Sequence, residues 1–130
     1  MPVADLADTS YVLLTTRKRS GHEVGTPVWC ARDGADLRIT TAPDSGKIKR
    51  LRHTPQVTLM ACSASGKPLA GAEAVAGVAR VDESPEAAAR TAELLRKKYR
   101  LMYRLLHAFQ KRDHAPATII VSDPAVDAEG

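Results

Sequence analysis

The sequence predicts a mainly-β domain of the α+β kind: an antiparallel barrel or sandwich with one short helix and one long late helix. Three observations carry this. Six short runs rich in Val, Ile, Leu and Thr follow one another closely, with turn residues between them. Most of those runs have no helical pattern between them, as a doubly wound α/β fold would require. One long amphipathic stretch comes late, after Ser84.

Tyr11 to Thr16 (YVLLTT) reads as the first strand, and Arg17 to Gly21 as a basic turn. Val24 to Ala31 reads as the second strand; its Pro27 lacks a ladder donor and so implies an edge or a bulge. Asp33-Gly34 is a turn signal, and Leu37 to Thr41 returns as the third strand, so the first three strands read as a meander. After the loop Ala42 to Gly46, Asp44 or Ser45 can cap a short helix from Gly46 to Arg52 that stops before Pro55. Gln56 to Cys62 is the fourth strand, Ser63 to Gly71 a loop, and Glu73 to Val81 the fifth strand. Ser84-Pro85-Glu86 supplies a cap, a proline at the first helical position and an acid in the first turn. The helix it starts is expected to reach about Arg112. Leu94, Leu95, Leu101, Met102, Leu105, Leu106 and Phe109 form its apolar face, with most of the cations from Arg96 to Arg104 off it as a solvated face. Thr118 to Val121 is the sixth strand, and the tail beyond Pro124 reads as frayed.

With 130 residues the chain fits a single domain, 1–130, ordered over about 9–123. A domain of this size buries a modest share of its surface, so pairing with a second copy would help it. Aromatics make up only 4%, which leaves Val, Leu, Ile and Ala to build the core. No apolar run approaches the roughly 20 residues of a membrane span, and the N-terminus has no secretory pattern. Cys30 and Cys62 lack metal or redox spacing and read as buried free thiols of a cytoplasmic protein. The four histidines are scattered, so no metal site is expected. The net charge of +4 and pI of about 9.3 suit an anionic partner. Nucleic acid is the weakest such partner, since single-strand binders need aromatic platforms.

The most informative stretch is Thr40 to Pro55. Thr40 and Thr41 end a strand, a tight loop carries Ser45 and Gly46, and Lys47, Lys49 and Arg50 fall in the first turn or two of a helix. Helix starts present unpaired N–H groups and the positive end of a dipole. Cations there are unfavourable unless an anion compensates, so the cluster reads as a phosphate pocket or, failing that, as a solvated basic face. Neither a Walker loop nor a dinucleotide fingerprint is present, and no nucleophile elbow or carboxylate pair identifies a catalytic residue. Any chemistry would then come from a bound cofactor.

The order of these pieces resembles the pyridoxamine 5′-phosphate oxidase-like split-barrel superfamily. Within it, the resemblance points to the short actinobacterial proteins that bind the deazaflavin coenzyme F420. The residues that carry it are Tyr11 to Arg17, Thr26-Pro27-Val28-Trp29, Asp33-Gly34, Thr41, Ser45 and Lys47, Lys49 to Val57, Gly77 to Val81 and the late Lys97-Lys98-Tyr99. The resemblance implies a six-stranded split barrel that forms a homodimer with cofactor at the subunit interface. It places Thr26, Pro27, Val28 and Trp29 along the cofactor ring, largely through backbone, with Thr40 and Thr41 on the neighbouring strand. Ser45, Lys47, Lys49 and Arg50 would hold the phosphate. The implied activity is F420-dependent hydride transfer to a small-molecule acceptor. FMN-dependent oxidoreduction and non-catalytic flavin or deazaflavin carriage are the alternatives. Flavin oxidases of the family carry Arg-Lys after the serine where this chain has Gly46-Lys47, which favours the deazaflavin branch. The chain, ending at Gly130, shows no counterpart of the oxidase's extended substrate-binding C-terminus, so pyridoxamine phosphate oxidation is not expected.

Overall fold

A computed structural model describes the backbone of residues 1–109 and 116–125, and the side chains of 1–100 and 116–125. Among the described residues there are seven strands: β1 (Tyr11–Arg17), β2 (Glu23–Val28), β3 (Ala31–Asp33), β4 (Asp36–Thr41), β5 (Gln56–Cys62), β6 (Val75–Asp82) and β7 (Ala117–Ser122). Helix α1 spans Gly46–His53 and helix α2 spans Pro85–Phe109, with a kink at Arg100. Residues Val3–Asp8, which the sequence leaves unassigned, form a 3-10 helix that buries Val3, Ala4 and Leu6. The expected end of α2 at Arg112 and the frayed tail over 126–130 lie outside the described residues. So do the side chains of Leu101, Met102, Leu105, Leu106 and Phe109.

All seven strands join one antiparallel sheet in the order β2-β1-β5-β6-β7-β4-β3. This corrects two expectations, the six-strand count and the opening meander. The run Val24 to Ala31 is two strands, because pairing stops at Trp29 and Cys30. β2 pairs only with β1, whereas β3 forms a hairpin with β4 across a two-residue turn in which Gly34 takes φ 63°. β4 in turn lies beside β7 rather than β2. Pro27 does sit on an edge strand, where its missing donor costs nothing.

The two edges of the sheet, β2 and β3, are consecutive in the chain. Three Cα steps of 3.8 Å connect Val28 to Ala31, so those ends lie within about 11 Å of each other and the sheet must curl round. Inward side chains from every strand except β3 then meet in one cluster: Val12 and Leu14, Val28, Leu37 and Ile39, Val57 and Leu59, Val75 and Ala79, and Ile119 and Val121. Ile48 and Leu51 of α1 close one end of this core, and Val3 and Leu6 join it from the 3-10 helix. Gly77 makes room in the middle: a Cβ there would stand 2.7 Å from Val121 Cγ1 and 3.2 Å from Leu59 Cδ1.

α2 packs on the outer face against β3, β4 and β7. Its start is as the sequence predicts, with Ser84 Oγ accepting from the Ala87 N–H at 3.2 Å. Polar groups fix its position: the Thr91 and Thr118 hydroxyls meet at 2.9 Å, and Asp33 accepts from Arg38 at 2.6 Å and Arg90 at 3.1 Å.

Gly77→Ala should destabilise the fold by about 1–3 kcal/mol through overpacking, read as a lower midpoint in urea unfolding. An unchanged midpoint would mean that the curl does not depend on this close approach.

Candidate functional site

The sequence-predicted residues distribute along β2 and around the start of α1. Ser45 caps α1, its Oγ accepting from the Ile48 N–H at 3.4 Å. The Thr41 hydroxyl lies 3.2 Å from the same oxygen and donates to it. Lys47 and Arg50, three positions apart, share a helix face. Arg50 folds back over the helix start, so that a Cβ at Gly46 would lie 2.7 Å from its Nη1. Its Nε donates to the fully buried Thr16 hydroxyl at 2.5 Å, which ties α1 to the end of β1. Burial, then the neighbouring Arg50 charge, pulls the Lys47 ammonium below its ordinary 10.5.

This arrangement brings together Thr41, Ser45, Gly46, Lys47 and Arg50 at a helix start. The first turn of α1 contains no acidic residue. Two cations crowd the positive end of a dipole, and position 46 has no side chain to fill the space between them. An anion is the group that satisfies such a cradle, and a phosphate fits the donor set: a hydroxyl, an ammonium, a guanidinium fork and the free N–H groups of the first turn.

Two predicted residues stand apart. Thr40 pairs with Thr118 and faces α2, because side chains alternate along β4. Lys49 is exposed, and helical geometry turns it well away from Lys47.

On β2, Thr26 lies opposite Leu14 and Val28 opposite Val12, both on the inner face. Val28 belongs to the core, so only its backbone is open to a ligand. Pro27, opposite Leu13, faces outward. Trp29 leaves the strand and stacks on Tyr99 of α2, with ring centroids 4.3 Å apart and an interplanar angle of 8°.

Sequence reasoning missed three residues. Thr16 reads from sequence as one more strand residue; burial of its hydroxyl beside a cation sets it apart. Lys98 reads as part of a solvated basic face, and Tyr99 has no assigned role beyond the Lys-Lys-Tyr resemblance. In the fold these two clamp the break between β2 and β3. The Tyr99 hydroxyl donates to the Ser10 carbonyl at 2.7 Å and accepts from the Cys30 N–H at 3.1 Å. Lys98 Nζ donates to the carbonyls of Thr9 at 2.8 Å and Cys30 at 2.6 Å. Burial pushes the Tyr99 hydroxyl far above its ordinary range and lowers the Lys98 ammonium. Cys30 and Cys62 are buried free thiols, and burial raises both.

Fold and site together define a single-sheet β domain with a cation-rich helix start at one end of β1. The chain belongs to the pyridoxamine 5′-phosphate oxidase family, whose model it matches over residues 3–126. Sequence comparison with curated proteins gives no match. Similar solved structures include a conserved hypothetical protein from Mycobacterium tuberculosis, 18% identical with a TM-score of 0.67, covering 98% of this chain and 90% of the other. An F420 reductase is 18% identical with a TM-score of 0.60, covering 93% and 92%. The heme storage protein HutZ from Vibrio cholerae is 13% identical with a TM-score of 0.67, covering 93% and 86%. At these identities the likeness is one of fold. Among the described residues no helix is long and apolar enough to cross a membrane.

Tyr99→Phe keeps the ring on Trp29 but leaves the buried Cys30 N–H without the hydroxyl. Unfolding free energy should fall by about 1–3 kcal/mol. Emission of Trp29, the single tryptophan, should change with it. Unaltered stability and emission would show that the clamp is dispensable.

Proposed function

We propose that this protein is an oxidoreductase that binds coenzyme F420 and moves a hydride between the deazaflavin's carbon 5 and an organic acceptor. The observation that carries the reading is the cradle at the start of α1, where Arg50 enters the space that Gly46 leaves open. In support, the family includes oxidoreductases and one neighbour of the same fold is an F420 reductase. When bound, the cofactor supplies the hydride chemistry; the protein supplies binding and orientation.

Each residue has a task in this reading. Ser45, Lys47 and Arg50 hold the phosphate, Thr41 orients Ser45, and Thr16 fixes the guanidinium. Lys49 adds long-range attraction. The unpaired edge of β2 from Thr26 to Val28, with Trp29 just beyond it, offers backbone groups to the ring, and Thr40 supports the neighbouring strand from behind. The outer face beside that edge is half-buried and partly apolar, with Leu13, Pro27 and Met60 exposed in part. A second copy laid against it would cover those side chains and enclose the cofactor, so the working form is a homodimer. The two buried thiols suit a protein of the reducing cytoplasm.

Titration with F420 and with FMN tests the cofactor. Tighter binding of F420 is expected, and a clear preference for FMN overturns the assignment. Lys47→Ala should weaken cofactor binding by about 10- to 100-fold, the equivalent of one charge-assisted hydrogen bond. Its fold stability should barely change. The pH dependence follows from the lowered Lys47 ammonium: the protonated lysine binds the anion, so affinity should fall as pH rises, beginning below the pH at which an ordinary lysine of 10.5 titrates. A mutant that binds like the parent would move the phosphate elsewhere, first to Arg17, Lys18 and Arg19. Sedimentation at micromolar concentration should give a dimer; a clean 14.0 kDa monomer removes the interfacial site.

A further inference from the structure

A cleft of about 390 Å³ opens between the 3-10 helix, β3 and the middle of α2. It is distinct from the cradle at α1. Ser10, bonded by Tyr99, and Thr16, bonded by Arg50, mark opposite ends of β1, roughly 20 Å apart at about 3.3 Å per residue. Its volume falls within the roughly 300–1,000 Å³ of small-ligand sites.

The lining has an apolar part and a cationic part. Ala7, Ala31 and Leu94 supply the first, and Ala31 and Leu94 also pack with the Trp29–Tyr99 stack. Arg32, Lys97 and Lys98 supply the second, against Asp8 as the one acid in the lining. Arg32 is steadied by the Ala4 carbonyl at 3.1 Å and by Asp5 at 3.5 Å, and Lys97 by Glu93 at 3.5 Å. Those two ion pairs are exposed and weak, so a carboxylate entering the cleft can take the place of Asp5 or Glu93 at little cost. Lys98 is half-buried, and among the described residues it has carbonyl and thiol partners but no carboxylate within 4.0 Å.

The cleft also lies in a suitable place. Val24 pairs with Thr16, and from there Thr26 is about 7 Å and Trp29 about 16 Å along β2. A cofactor held by its phosphate beside Arg50 and laid along β2 carries its ring toward Trp29, and the cleft adjoins that end.

We propose that this cleft holds the hydride acceptor and that the acceptor is a small conjugated molecule bearing a carboxylate. The acceptor role rests on the oxidoreductase reading above; the anion preference of the cleft does not. In the reaction the acceptor gains a hydride, with both electrons of a broken C–H bond, and a proton from water. The cofactor is oxidised by the same two electrons. The carboxylate lies against Arg32 and Lys97, and the conjugated part rests on Leu94 and Ala31.

Two arms test this separately. In the first, the cofactor-free protein is titrated with anilinonaphthalene sulfonate, a planar anionic dye, and with neutral N-phenylnaphthylamine. The anionic dye should bind about 10-fold tighter or more and should quench Trp29. Arg32→Gln combined with Lys97→Gln should abolish that preference, whereas Lys47→Ala should keep it; unfolding midpoints confirm that each variant is folded. Equal binding of the two dyes, an unmoved Trp29 signal or a preference that survives the double variant overturns the site. In the second arm, the cofactor-loaded protein is given a naphthoquinone carboxylate and its methyl ester. The acid should show about 10-fold higher kcat/KM, lost in the double variant. An anion-selective cleft with equal turnover of acid and ester overturns the acceptor role alone. No hydride transfer to either, with the dye result intact, counts against the oxidoreductase reading.

Discussion

The fold turns on the two-residue link Trp29-Cys30. It carries the chain from one edge of the sheet to the other, and it can do so only if the sheet curls until β2 and β3 approach. A break of this kind leaves backbone polar groups without ladder partners near the core, where each unpaired group costs about 1–3 kcal/mol. α2 supplies the missing partners. Tyr99 takes the Cys30 N–H, and Lys98 takes the Cys30 carbonyl together with that of Thr9 just before β1. One helical turn thus pins the start of β1 and the link between β2 and β3 at the same place. The Trp29–Tyr99 stack covers this hydrogen-bonded centre with apolar surface and limits competition from water.

Because the clamp stands at one end of β1 and the Arg50–Thr16 contact at the other, β1 acts as a ruler between two chemically different regions. Both regions hold a cation away from bulk water, but by different means. Lys98 is compensated by carbonyl dipoles and by the nearby Asp8 charge, which lets its own charge sit beside the core. Lys47 has no comparable compensation; its main neighbour is another cation, and burial and repulsion both work against its charge. The first arrangement is complete as it stands. The second is the one that an added anion would ease, a difference that a count of charges does not reveal.

Much of this was legible in the sequence. The β5 limits agree residue for residue, Ser45 and Ser84 cap the helices as their spacing suggests, and Pro27 marks an edge strand. These are local properties, set by turn chemistry, capping and alternation within a few residues. The meander failed for a reason of another kind. VGTPVWCA reads as one strand with an edge or bulge at Pro27, and nothing local records that its last residues pair with a different strand. Pairing is decided by which partners the curled sheet brings near, so β4 finds β7 from 76 residues further along the chain, the separation of Thr41 and Ala117.

The site divides in the same way. Thr41, Ser45, Lys47 and Arg50 could be read together because they lie within ten residues and one helix turn orders them. Thr16 could not, since it meets Arg50 across 34 positions, nor could Lys98, which looks like any lysine on a basic helix until its carbonyl partners are known. The departure at position 46 is the most instructive case. Read locally, glycine at the helix start contributes neither charge nor side chain. In three dimensions the Arg50 guanidinium occupies the space above that glycine, so a cation arrives from one turn later on a different backbone anchor. A guanidinium held from one side by Thr16 presents its remaining N–H groups toward the helix start, so the direction of that fork is set by β1 as much as by the helix that carries it.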